Sequence, residues 1–273
     1  MNIFRDIPVI KSCVAITIIV ATVFGQWRTL DSGLELAAFP SPRYSKADSA
    51  VVTILRVDTK RYELALFNAS HPAQGEMLTA RGWGRKEGLA AAINAAMYQT
   101  DYRTSVSHMK TSAHTNNARV SKDKTILVFE PLKKGIPPAR IVDTQCDDYA
   151  RIAPHYGSAV QSIRMLSCAG VNVWQQSERR WSVAAVGTDS AGRVLLIHCS
   201  APHSVHDFIN ALRALPISID RAMYMEGGSP AQMYVGAGAD TVELIGDFSV
   251  GGRAVSAPAL PNVLGVRKVG ISR

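Results

Sequence analysis

Apolar and polar positions alternate along several stretches of the chain. Residues 50–58 (AVVTILRVD) and 62–70 (YELALFNAS) are separated only by Thr59, Lys60 and Arg61, which predicts an antiparallel hairpin. Residues 117–131 alternate again and end in the apolar run TILVF. The clearest hairpin lies within WSVAAVGTDSAGRVLLIHCSA, where Ser190, Ala191 and Gly192 supply the turn between two apolar strands. One stretch has helical spacing instead: in SVHDFINALRALP, Phe208, Ile209, Ala211, Leu212 and Leu215 share a face. Ser204 is placed to cap that helix, with Asp207 three residues on, and Pro216 ends it. A shorter helix is expected near residues 85–90, leading into a buried strand around 91–95. The next strand, RAMYME, stops on Glu226 and runs into Gly227, Gly228 and Ser229. SAPALPNVLGVRKV, near the C-terminus, is interrupted by prolines and reads as an edge strand.

Strands outnumber helices in this pattern. The fold class is α+β: a mixed, mostly antiparallel sheet with a few covering helices, in a single domain over residues 48–273. Ahead of it, residues 12–24 (SCVAITIIVATVF) are apolar apart from Ser and Thr and follow Arg5 and Lys11. Residues 1–25 therefore read as a signal peptide or membrane anchor, and 26–47, with its PSP, as a linker. This predicts an exported chain, periplasmic or extracellular.

Charge and cysteine content narrow the picture. The formal charge of +8 comes from scattered basic residues, and aromatics make up only 7%, so nothing resembles a nucleic-acid-binding tail. Cys13 lies in the apolar N-terminal stretch, leaving Cys146, Cys168 and Cys199. At most one disulfide can form among these, with Cys146–Cys168 as the expected pair. No spacing suits zinc, and no metal or cofactor is expected.

A carboxylate at a strand end beside two glycines can serve as acid, base or nucleophile next to backbone that a substrate approaches closely, although turn formation alone also accounts for it. Asn94 ends an Ala-rich run, with Asp101 seven residues on. Gln161 and Arg164 stand in the otherwise apolar SAVQSIRML. Arg164 would pair with a carboxylate or a phosphate. His198, inside an apolar strand, reads as a core histidine.

Taken in order, INAAMY, SAVQSIRML, RRWSVAAVGTDSAGRVLLIHCS, SVHDFINAL and AMYMEGGSPAQMYV resemble the phosphodiester glycosidase family. The resemblance implies hydrolysis of a glycosidic bond in a sugar-1-phosphodiester or an envelope polysaccharide. It matches Asn94 and Gln161 to sugar-binding positions, and Glu226, Gly227, Gly228 and Ser229 to the family's last motif. The chain departs from the family in having Ala95 and Ala96 where glycines are usual and Glu226 where Asp is usual. On this reading Glu226 and Asp101 are catalytic, with Asp189 in reserve, and Asn94, Gln161, Arg164, Gly227, Gly228 and Ser229 hold the substrate. The alternative is an envelope protein that binds glycan in the same cleft without cleaving it.

Overall fold

The structure, a computed structural model, describes residues 25–40, 51–238, 241–247 and 256–270. The apolar stretch 12–24 lies outside the described residues. Among those described, no helix is long and apolar enough to cross a membrane.

Two sheets form where one was expected, and every described strand pairing is antiparallel. The larger runs Arg28–Asp31, Leu34–Pro40, Val51–Val57, Val194–His203, Trp181–Asp189, Ile219–Gly227 and Tyr156–Arg164, then Met109–Lys110 and Thr115–Asn117. Thr125–Pro131 and Ala139–Asp143 extend it beside Tyr156–Arg164. The smaller runs Val242–Ile245, Gln232–Val235, Ala91–Asn94, Asn262–Lys268 and Tyr62–Asn68.

Alternation explains the layering. Ala184, Val186, Leu196 and Met223 of the large sheet meet Leu64, Ile93, Met233 and Val266 of the small one in a shared core. Their sequence neighbours Val183, Ala185, Ile197 and Ala222 point the other way, onto Phe208, Ile209 and Leu212 of the helix Val205–Ala214. On the outer face of the small sheet, Ala92 and Val263 pack with Trp83 of the helix Ala80–Lys86. Each sheet is thus covered by a helix on one face and by the other sheet on the opposite face. The Val205–Ala214 helix begins at Ser204, whose hydroxyl accepts from Asp207 N at 3.2 Å.

Several local expectations change. Residues 51–57 and 62–68 do not pair with each other. Val51–Val57 lies between Leu34–Pro40 and Val194–His203, so both of its edges are taken, and the turn at Asp58–Arg61 hands the chain across to the small sheet. Part of the expected linker is structured, because Leu34 and Phe39 are buried in the strand Leu34–Pro40. The C-terminal strand is internal, paired with Tyr62–Asn68 on one side and Ala91–Asn94 on the other. The first helix starts earlier than expected, at Ala80, because the Thr79 hydroxyl caps Gly82 N at 3.0 Å.

Cys146 and Cys168 form the disulfide. It ties the turn after Ala139–Asp143 to the segment after Tyr156–Arg164. Cys199 is a buried free thiol, pushed up to about 12 by desolvation. Asp143, Cys146 and Cys168 are the one grouping with metal-ligand spacing among the described residues, but the two sulfurs are bonded to each other.

Candidate active site

The strand Ile219–Gly227 carries Glu226 to the end of the large sheet. There the ladder is irregular: Ala184 pairs with Glu226 and Ala185 with Tyr224, leaving Met225 as an extra residue. Such a bulge re-aims side chains at a strand end. Two glycines follow for different reasons. Gly227 lies against the Trp181 indole and the Tyr224 hydroxyl, with no room for a Cβ. Gly228 has φ +65, a conformation that penalises L side chains, and its carbonyl accepts from Ala231 N at 2.9 Å to close the turn. Ser229, on the same turn, is partly exposed.

Glu226 is partly open to solvent yet closely surrounded. Desolvation raises its carboxyl from 4.5 to about 7, outweighing the 2.9 Å hydrogen bond it accepts from Gly227 N. Two tyrosines respond to its charge: both Tyr98 and Tyr224 are raised, first by burial and then by Glu226. Around Tyr224, Trp181 Nε1 donates to its hydroxyl at 3.0 Å, and the Trp174 ring lies 5.4 Å away.

Asn94 comes in from the small sheet. Its Oδ1 accepts from Gln232 N at 3.3 Å, while its buried Nδ2 has no hydrogen-bond partner. A buried amide donor left unpaired costs about 1–3 kcal/mol, which a ligand oxygen would recover. The following Ala95 and Ala96 are buried in the core between the two sheets, which also holds Met225 and Ala231. Ala96 sits at φ +58, in the left-handed region that favours glycine.

The other sequence candidates have partners of their own. Asp101 is exposed, and its carboxylate accepts from Arg103 N and Thr104 N, each at 2.9 Å, and from Thr104 Oγ1 at 2.5 Å. Those hydrogen bonds, led by the Thr104 hydroxyl, lower it. Gln161 is fully buried: its Oε1 accepts from His108 N and Ser121 N, and its Nε2 donates to Ser121 O and Asp123 O. Arg164 donates through Nη1 to both oxygens of buried Asp143, at 3.3 and 3.1 Å, and its Nε has no partner. Asp189 is held by Arg193 Nε at 2.7 Å at the hairpin turn. His198 is fully buried, donates from Nε2 to Ala231 O at 3.0 Å, and is held down at about 4 by desolvation.

Glu226, Gly227, Gly228 and Ser229 thus share one strand end and its turn, and Asn94 is linked to that turn through Gln232, whose N donates to Asn94 Oδ1 and whose Nε2 donates to Ser229 O at 3.4 Å. Gln161 and Asp101 serve separate local networks, and Arg164 is occupied by Asp143. Sequence reading did not single out Tyr98, Trp181 and Tyr224. All three lie within the quoted motif stretches, but their role depends on ring contacts that only folding makes.

In class, this is a double-sheet protein with one desolvated acid at a strand end, walled by aromatic rings. The phosphodiester glycosidase family model matches residues 87–267, well over half of the chain, and the chain belongs to that family. The catalytic domain of zebrafish N-acetylglucosamine-1-phosphodiester alpha-N-acetylglucosaminidase, auto-inhibited by its pro-peptide, is similar in fold. The TM-score is 0.62 at 11% identity, over 89% of this chain and 87% of that one. A hypothetical protein from Synechocystis is similar with a TM-score of 0.56 at 13% identity, over 87% of this chain and 62% of that one. No curated protein matches the sequence.

Proposed function

We propose that the chain is an exported hydrolase of a glycosidic bond, acting on a sugar-1-phosphodiester or a related envelope glycan, with Glu226 as its general acid. The observation that carries this reading is the desolvated Glu226, raised to about 7 while still partly open to solvent. A carboxyl so tuned is neutral in mildly acidic solution and has a proton to give. As the bond from the anomeric carbon to the leaving oxygen breaks, Glu226 donates its proton to that oxygen. Water adds to the anomeric carbon and releases a proton, leaving a free sugar and, from a phosphodiester, a phosphomonoester. Asn94 Nδ2, buried and unpaired, is a donor that a sugar oxygen would satisfy once it is uncovered.

Export is supported by the apolar residues 12–24 and by the Cys146–Cys168 disulfide, which suits an oxidising compartment. The test is release of sugar from an aryl or nucleotide sugar-1-phosphodiester by the full chain and by Glu226→Gln. Release by the wild type that disappears in the variant supports the reading; equal release by both refutes it.

A second reading, glycan binding without cleavage, is favoured by one observation: Asp101 and Arg164, the other charged candidates, are both engaged within the protein. Binding by both proteins with release by neither would establish it.

A further inference from the structure

Residues 97–106 form a small hairpin between the Asn94 strand and the edge of the large sheet. Val106 N donates to Met97 O at 3.1 Å, Tyr98 bridges Ser105, and Gln99 N donates to Thr104 O at 2.7 Å. Asp101 caps its tip, and Asn116 and Asn117 brace it from outside: Asn116 Oδ1 accepts from Ser105 N at 2.7 Å, and Asn117 Nδ2 donates to Ser105 O at 2.8 Å. Within this braced frame Tyr102 takes φ +56 and leaves 63% of its surface exposed. Glycine or asparagine would fit that backbone with less strain, and an exposed ring gains nothing from burial. Strain and exposure together on an aromatic residue point to something that binds it.

The hairpin also leads somewhere. At its base, Met97 packs, as Trp181 does, against the core cluster that contains Tyr224. Tyr98 follows, close enough for the Glu226 charge to raise it. The Tyr102 ring is 5.9 Å further on, centroid to centroid. We propose that Tyr98 and Tyr102 form an outer stacking strip leading away from Glu226, so that the chain takes an oligomeric glycan laid over both rings rather than a single sugar on a small leaving group. The proposal rests on the reading of the Glu226 site as a glycan site. The two rings are tilted 44° to each other, so they offer apolar faces at an angle to successive sugar units of a twisting chain, and the capped, braced tip holds Tyr102 in place without any need to close on the ligand.

The test uses the full chain carrying Glu226→Gln, so that ligand is not consumed, titrated calorimetrically with N-acetylglucosamine and its β-1,4-linked oligomers up to the hexamer. Affinity should rise with oligomer length. Adding Tyr102→Ala should weaken binding of the longer oligomers about two- to tenfold, the effect of one aromatic contact. Tyr102→Gly relieves the backbone strain and should show the same loss with a Tm no lower than its parent, which separates a missing ring from a damaged tip. Binding that is independent of length, or unchanged without the Tyr102 ring, overturns the strip and leaves the Glu226 site standing. Failure of every oligomer to bind overturns the strip, while sugar release from a sugar-1-phosphodiester by the wild type, absent in Glu226→Gln, tests the Glu226 reading separately.

Discussion

Replacing Glu226 by glutamine keeps the shape of the side chain and removes its ionisation. In the folded chain burial lifts this carboxyl from 4.5 to about 7. The folded state therefore holds the proton more tightly than the unfolded chain does. Below 4.5 both states are protonated and the contribution to stability is fully present. As pH rises the unfolded chain gives up its proton first, and by pH values above about 7 the contribution is lost. At about 1.4 kcal/mol per pH unit, a window about 2.5 units wide makes the wild type lose about 3 kcal/mol relative to the Gln variant. His198 acts in the opposite sense. Burial depresses it from 6.5 to about 4, so its contribution is present above 6.5 and falls away as pH drops toward 4. In the wild type alone the two slopes oppose each other between pH 4.5 and 6.5, which would hide both. Subtracting wild type from variant removes His198, which both proteins share. The assay is urea unfolding of both proteins with the disulfide intact, from pH 4.5 to 8. The variant should gain about 3 kcal/mol on the wild type across that range, most of it below pH 7. A difference that stays flat with pH would refute the burial of this carboxyl and, with it, its fitness as an acid at neutral pH.

Other outcomes follow from the same geometry. If Glu226 is the acid, kcat/KM on a sugar-1-phosphodiester should fall as pH rises through about 7, and a profile rising through that range would contradict the assignment. Ala96→Gly should stabilise the chain by about 1 kcal/mol in denaturant unfolding, because φ +58 is strained for alanine; a loss would show that its methyl packing outweighs the strain. Arg164→Ala should lower stability by about 3–5 kcal/mol, since it leaves buried Asp143 without its partner, whereas an arginine that served only to hold substrate would change KM and leave the unfolding midpoint in place. Replacing Cys146 and Cys168 by serine, which opens a link spanning 22 residues, should cost about 3 kcal/mol by the same measurement, with an unchanged midpoint as the contrary result.

Much of the fold was legible in the sequence where the deciding contacts are close along the chain. The helix Val205–Ala214 carries its cap, its apolar face and its terminating proline within one short stretch, and the hairpin of Trp181–Asp189 with Val194–His203 carries its own turn. The strand ending at Glu226 was visible in the same way. The resemblance to the phosphodiester glycosidase family drew attention to Asn94 and to Glu226 with its glycines.

Only tertiary structure decided the rest, because burial and pairing depend on groups far apart in sequence. Residues 51–57 and 62–68 have an ordinary hairpin pattern, yet the strands beside each are supplied from elsewhere, and the two end in different sheets. Arg164 was equally suited to phosphate or carboxylate until Asp143, 21 residues away, came to lie against it. That Gly227 must be glycine is set by Trp181 and Tyr224, themselves 43 residues apart. A strand-end glutamate can be read from sequence; its raised proton affinity cannot, because desolvation belongs to the groups that folding packs around it.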